Sequence, residues 1–336
     1  MKTAFCFNVK LSSPSTDIAK QKDAEFDSPE TIDTIAETIR QLGHEVIKVE
    51  ADENAFIKLQ KLIEPARRAD LVFNIAEGLG GDAREAQIPL FCEILGIPYT
   101  HSTPTVHALR SDKHLTKVLL AGAGLVKVPG DKNFPLIVKP NSEGSSKGTL
   151  DKNVVKDEKE LAERVKLLKE SIEGGVLVEE YIEGREFTVG ILGNYPARVL
   201  PIIEQKFDFL PEGMNKMASY ELKWLYEDTL KNLHEAYDCP AKISPKLQKE
   251  IEDSSLKIYE FLQVRDCARI DYRLDKDNDL YFLEINTLPG LNPDETVISY
   301  FPLAARVAGL TFNDLIAAIL ASACKRWGID EYQVTC

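Results

Sequence analysis

A chain of 336 residues, 44% of them hydrophobic, is long enough for two or three domains and apolar enough to give each a core. The formal charge is −13, from 41 basic and 54 acidic residues with no long basic block. This argues against nucleic acid or an anionic membrane as the main partner and leaves an acidic soluble enzyme as the class to test. The opening MKTAFCFNVKLSS has too short an apolar run for a signal peptide, and no stretch reaches the length of a membrane span, so a cytoplasmic protein is expected. Six cysteines without CxxC spacing read as reduced thiols, and Cys336, as the last residue, is not a prenylation box.

In chain order, residues 3–9 read as a buried strand. Ser28 as N-cap, Pro29 in the first turn, Ile32, Ile35, Ile39 and Leu42 on one face and Gly43 beyond the end predict a helix. A strand at 45–50, helical spacing through Phe56, Leu59 and Ile63, and a strand at 69–76 continue the alternation. Residues 1 to about 100 are therefore expected to form a parallel sheet. The loop 77–81 (EGLGG) ends the third strand, where open α/β sheets bind ligands; a flexible connection is an equally good reading.

Residues 95–100 (LGIPYT) suggest a helix end and a short strand, with a domain boundary near them. Residues 109–121 read as one helix with Ser111 or Asp112 near its start. Lys113 in the first turn opposes the helix dipole, which suits either a ligand role or a plain surface lysine. The run 135–140 (PLIVKP) places Lys139 at the end of an apolar strand. The following NSEGSSKG, 141–148, with Ser145 and Ser146, suits a loop covering phosphates or a simple hairpin turn; it is neither a Walker A nor a GxGxxG sequence.

Asp157 with Glu160 predicts a capping box for a helix carrying Leu161, Val165, Leu168 and Ile172. Strands at 176–182 and 186–192 flank a turn at 183–185. Glu179, Glu180 and Glu186 suit an adenine amine or ribose hydroxyls, or are exposed edge charges. Residues 206–243 lack periodicity and read as a long functional loop such as a lid. Ser244 and Pro245 start another helix, and 311–325 form the last one.

Between those helices, residues 268–290 read as a hairpin. A four-residue loop at 276–279 would set Asp271 opposite Glu284 and Arg269 opposite Asn286, leaving Ile270, Tyr272, Leu274, Tyr281, Leu283 and Ile285 on an apolar face. Two carboxylates and a carboxamide offer oxygen ligands, as Mg²⁺ takes them with phosphates and water; cross-strand ion pairs on a solvated face are the alternative. Asp275, Asp277 and Asp279 have EF-hand spacing, but Leu280 and Asn286 stand where glycine and glutamate are needed, so the turn is merely acidic.

In order, Asp112-Lys113, IVKP with EGSS, LVEEYIEGREFTV, RIDYRL, LEINTLPGL and PLAARVAGL resemble the ATP-grasp superfamily, and most closely the D-alanine–D-alanine ligase family. The resemblance implies an α/β and α+β ATP-grasp fold. Its expected parts are an N-terminal parallel α/β domain over 1–103, a central α+β subdomain over 104–183 and a C-terminal α+β catalytic subdomain over 184–336. It implies an ADP-forming carboxylate–amine ligase working through an acyl phosphate on small amino-acid-like substrates, and a homodimer. Lys113 and Lys139 would grip ATP phosphates beneath Ser145 and Ser146. Glu179 would lie beside adenine, Tyr181 and Ile182 at the base, and Glu186 at the ribose. Asp271, Glu284 and Asn286 would hold two Mg²⁺ ions, with Mn²⁺ as an alternative. Arg269 and the Gly290 N–H would stabilise an oxyanion, and Lys223, with Ser145, would close over the γ-phosphate.

The sequence also departs from that family. Its N-terminal glycine-rich loop with an amine-anchoring glutamate is absent: strand one ends Phe7, Asn8, Val9, Lys10, and Glu25 is the nearest acid. Its His-Gly loop is replaced by 74–81, followed by Asp82, Arg84 and Glu85; Trp224 stands where the family has tyrosine; and 292–298 is an insertion before Ser299. Glu25, Arg84 and Ser299 are the candidate amino-acid contacts. A different amino-acid pair, a larger amine or thiol metabolite, and a non-catalytic ATP-binding protein stay open as alternatives.

Overall fold

The computed structural model describes residues 1–230 and 232–329; Cys336 lies outside the described residues. The chain opens with β1 (Lys2–Phe7), α1 (Pro29–Gln41), β2 (Glu45–Glu50), α2 (Ala55–Gln60), β3 (Leu71–Asn74) and α3 (Gln87–Leu95). The strands form a parallel sheet in the order β2-β1-β3, as the alternation requires. Ser28 caps α1 by accepting from the Thr31 N–H, Pro29 occupies its first turn, and Ile32, Ile35 and Ile39 bury its apolar stripe against β1 and β3. Tyr99 adds a parallel bridge to Val72, so the LGIPYT stretch does extend this sheet.

Two helices, α4 (Pro104–Ser111) and α5 (Lys113–Gly122), replace the single one expected over 109–121. Asp112 is extended, closing α4 and capping α5 by accepting from the Leu115 N–H at 2.8 Å. A second sheet follows from β4 (Leu136–Pro140), β5 (Val154–Val155), α6 (Glu158–Ser171) and β6 (Val176–Glu180), antiparallel in the order β5-β4-β6. The α6 capping box is half formed: Asp157 accepts from the Glu160 N–H, but Glu160 reaches back to the Lys156 N–H instead of the cap residue's own.

The remaining elements are β7 (Arg185–Leu192), β8 (Arg198–Val199), β9 (Ile203–Gln205), β10 (Tyr237–Asp238), α7 (Pro245–Phe261), β11 (Cys267–Leu274), β12 (Leu280–Asn286), α8 (Tyr300–Val307) and α9 (Phe312–Trp327). They build a third, antiparallel sheet ordered β10-β9-β7-β11-β12, with β8 on β7. The strands β6 and β7 on either side of 181–184 thus lie in different sheets, and that short segment carries the chain from one to the other. Among the described residues no single helix is long and apolar enough to cross a membrane, and Cys6, Cys92, Cys239 and Cys267 are free thiols.

The hairpin differs from expectation in one consequential way. Asp271 does pair with Glu284 and Arg269 with Asn286, but Leu274 pairs with Leu280, so the loop is 275–279 and a bulge between Asp271 and Tyr272 takes up the extra residue. Beyond the bulge the faces of β12 exchange. Phe282, 1% exposed, joins Ile270, Tyr272, Leu274 and Ile285 in the core, while Tyr281 and Leu283 leave the apolar set. In the turn, Asp275 accepts from the Asp277 and Asp279 N–H groups at 2.9 and 2.8 Å, which accounts for the acidic spacing without calcium.

Candidate active site

A cleft lies between the β5-β4-β6 sheet and the face of β7, β11 and β12. On its first wall Ile137 pairs with Glu179 and Lys139 with Leu177, so Lys139 and Glu179 are diagonal neighbours on one face, 2.5 Å apart. Lys117, one turn after Lys113 on α5, bonds the other Glu179 oxygen. Burial opposes ionisation of Glu179, but Lys117 and Lys139 outweigh it and hold its carboxyl at about 2. Lys117 itself is brought down to about 8, because burial exceeds what Glu179 returns.

The opposite wall is the charged face of β7, β11 and β12. Arg269 donates to Asp271 through Nε at 3.2 Å and Nη2 at 3.0 Å, and Thr188 on β7 donates its hydroxyl to the same carboxylate. Glu284 lies 3.4 Å from Lys113; burial works against its charge, yet Lys113, Arg269 and Lys139 hold it at about 2. Asn286 follows on the same face, its Oδ1 accepting from the Leu288 N–H at 2.9 Å. The donor set is oxygen only, and its carboxylates attract every nearby cation. Among the described residues no three His, Cys, Asp or Glu side chains converge on one point. Two carboxylates and a carboxamide fit Mg²⁺, which completes its shell with phosphate oxygens and water.

Arg273, next on this face, is 3% exposed and donates to Glu186 at 2.6 Å and to the Ile182 carbonyl at 2.9 Å. It anchors the 181–184 segment to the third sheet and engages Glu186, whose carboxyl burial pushes up against the pull of Arg273. Leu283, turned over by the bulge, faces the cleft with Tyr181, Ile182 and Met217 and gives it an apolar surface suited to a flat ring.

The serine loop forms the cover. Ser145 and Ser146 both have positive φ, 48° and 59°. Trp224 Nε1 donates to the Ser145 carbonyl at 3.2 Å, Lys223 Nζ lies 3.4 Å from the Ser145 hydroxyl, and Ser146 Oγ donates to the Ala218 carbonyl at 2.7 Å. Residues 218–224 of the unperiodic stretch therefore lie bonded onto the loop, and Lys10 stacks 3.8 Å over the Trp224 ring.

A second cavity adjoins the first, and the two share Ser145, Lys223, Arg269, Glu284 and Tyr300 as a common wall. Gly290, Ser299 and Glu25 line this second cavity. Ser299 Oγ donates to the Gly290 carbonyl at 3.3 Å. Gly144 comes so close to Glu25 that an added Cβ would sit 2.5 Å from its Oε1. Arg84 does not line the cavity: it bonds Glu25, donates to the Ser142 carbonyl at 2.7 Å and lies 3.5 Å from Glu143, joining the first sheet's loops to the serine loop.

The structure thus brings Lys113, Lys139, Ser145, Ser146, Glu179, Tyr181, Ile182, Glu186, Lys223, Arg269, Asp271 and Glu284 around one cleft, and sets Asn286, Gly290, Glu25 and Ser299 beside it. Sequence reasoning missed Lys117, Thr188, Arg273 and Leu283. The first three had a signal: Lys117 follows Lys113 by four on a helix, and Thr188 and Arg273 follow Glu186 and Asp271 by two on strands. Leu283 had none, since a bulge is not written in alternation.

Comparison with known proteins bears on the family and the fold. Residues 111–321 match the family model described as D-ala D-ala ligase C-terminus. A D-alanine–D-alanine ligase of Aquifex aeolicus is 34% identical over 303 residues, covering 85% of this chain and 92% of that protein. The uncharacterized protein y4sG of Sinorhizobium fredii is 34% identical over 309 residues, 88% of each chain. In fold, the chain matches the crystal structure of a Bacillus anthracis D-alanine–D-alanine ligase complexed with ATP at a TM-score of 0.69, with 23% identity over 97% of this chain and 98% of that one.

Proposed function

Since the chain belongs to the D-alanine–D-alanine ligase family of ATP-dependent, ADP-forming ligases, we propose that it joins the carboxylate of one amino acid to the amine of a second. The observation that carries this reading is the wall shared by the two cavities: a nucleotide in the first would present its phosphates to a substrate in the second across Ser145, Lys223, Arg269 and Glu284. Family membership leaves the non-catalytic alternative without support.

In this reading Lys113, Lys139, Lys223 and the serine loop hold the phosphates, and the apolar surface of Leu283 and Ile182 takes the base, with Glu179 and Glu186 at its polar edges. A substrate carboxylate oxygen attacks the γ-phosphorus, the bond to the β-phosphate oxygen breaks, and ADP leaves with the electron pair. The amine nitrogen of the second substrate, its ammonium proton lost, then attacks the acyl carbon. Arg269 and the Gly290 N–H face the oxyanion that forms, and phosphate departs as the amide is made. Asp271, Glu284 and Asn286 would hold two Mg²⁺ ions, or Mn²⁺ in their place; once bound, the metal supplies positive charge against the phosphate oxygens. The covered cleft keeps water from the acyl phosphate.

The same reading takes 1–103, 104–183 and 184–336 as the substrate, central and catalytic parts, with a homodimer in the cytoplasm as the working form. The test is Mg·ATP-dependent phosphate release with pairs of D- and L-amino acids, with mass spectrometry of the products. D-alanine with itself is the first pair, because relatives bear its name. Phosphate release together with a dipeptide supports the ligase reading; ATP left intact across the whole panel would sink it.

A further inference from the structure

The second cavity holds carboxyls that the protein does not pair. Around its N-terminal wall, Glu25 is bonded to Arg84, Arg110 to Glu85, and Glu143 to Lys147 at 2.9 Å. Asp27 and Glu77 line the same wall, and among the described residues neither carboxyl group receives a hydrogen bond or an ion pair. Asn8 ties together the two backbone segments that carry them. Asn8 Oδ1 accepts from the Gly78 N–H at 3.0 Å, and the Asn8 carbonyl accepts from the Asp27 N–H at 3.3 Å. Gly78 makes that approach possible: its φ is 79°, and an added Cβ would sit 2.2 Å from the Arg84 carbonyl oxygen.

We propose that Asp27 and Glu77 select the amino-acid substrate, taking one whose side chain ends in an ammonium or guanidinium. This rests on the ligase reading for the identity of the cavity's occupant. One α-ammonium needs one carboxylate, and Glu25, a lining residue whose Oε1 is buried without a partner, supplies it. A second, neighbouring pair of carboxyls has no such use with an alanine side chain, whose methyl cannot hydrogen-bond. A terminal cation meets both of them and ends the mutual repulsion of carboxyls held in one wall.

The titration of the wall agrees. Burial, followed by the charge of Glu25, pushes Glu77 up to about 8 despite Arg110 and Arg84, with Asp27 adding to the rise. Burial takes Asp27 to about 7 against Lys10. Near neutral pH these carboxyls are therefore partly protonated, and a cation that enters the wall displaces that proton.

The experiment is calorimetric titration of the full chain, with Mg²⁺ and a non-hydrolysable ATP analogue, using D- and L-lysine against D- and L-norleucine, which keep lysine's four side-chain carbons but lack its terminal ammonium. Lysine of one hand should bind at least tenfold more tightly than norleucine. Glu77→Gln and Asp27→Asn should each remove most of that difference, with circular dichroism showing that the variants fold. Equal binding of lysine and norleucine, or an unchanged difference in both variants, overturns the proposal. Because the readout is binding, it is separable from the ligase reading: lysine selectivity without any ATP turnover would remove the ligase and leave this inference, whereas dipeptide formation from neutral amino acids with no lysine preference would do the reverse.

Discussion

Lys139 and Glu179 are ion-paired at 2.5 Å across neighbouring strands of the small sheet, with Lys117 closing the pair from α5. Two groups expected at opposite ends of a nucleotide are thus bonded to each other. Lys139→Ala leaves Glu179 with Lys117, so the fold should survive with a loss of about 1 kcal/mol or less. The ATP-dependent rate should fall at least a hundredfold, measured by coupled ADP assay. A Lys139→Ala enzyme with unchanged kcat/KM for ATP would contradict the site.

The hairpin bulge separates two adjacent residues by role. Phe282→Ala removes a core side chain that is 1% exposed and should cost about 3–5 kcal/mol in denaturant unfolding. Leu283→Ala should cost less stability but raise the KM for ATP severalfold by opening the apolar side of the cleft. The opposite assignment of effects would restore unbroken alternation.

Acid stability follows from Glu179 and Glu284. Both are held near 2 in the fold, below the ordinary carboxylate value of about 4.3. Their contribution is therefore complete above pH 4.5 and is lost as pH falls through that value toward 2, because the unfolded chain takes up the protons first. Unfolding free energies at pH 6, 4 and 3 should fall more steeply in the parent than in Glu179→Gln; parallel slopes would mean that its carboxylate is not held by the lysines.

Trp224 ties the covering segment down by its bond to the Ser145 carbonyl. Trp224→Phe keeps the ring under Lys10 and removes the N–H, so phosphate release should outrun amide formation as water reaches the acyl phosphate. The measured ratio of phosphate to product should rise above the parent's. An unchanged ratio would show that this bond does not govern sealing.

The charged end of the hairpin was legible from residue types and period alone, since Arg269, Asp271, Glu284 and Asn286 meet as alternation requires. So were α1, through Ser28 and Pro29, and the parallel first sheet. Tertiary contacts decided what escaped. Asp112 splits a helix that its apolar spacing would carry through, because its carboxylate caps α5. The partners of Glu25 and Glu179 lie 59 and 62 residues away in sequence, and no local pattern records them. Arg84, read as a substrate contact, instead spends its guanidinium on Glu25, Ser142 and Glu143.

The wall common to both cavities also sets an order of traffic. Ser145 belongs to the cover and Lys223 to the segment bonded onto it, so on the proposed reading the partition between nucleotide and amino acid would be made of the same groups that cover the cleft. On the proposed reading, ADP and product would leave through one opening event, and the frequency of that opening would set a ceiling on turnover however fast the bonds are made and broken within.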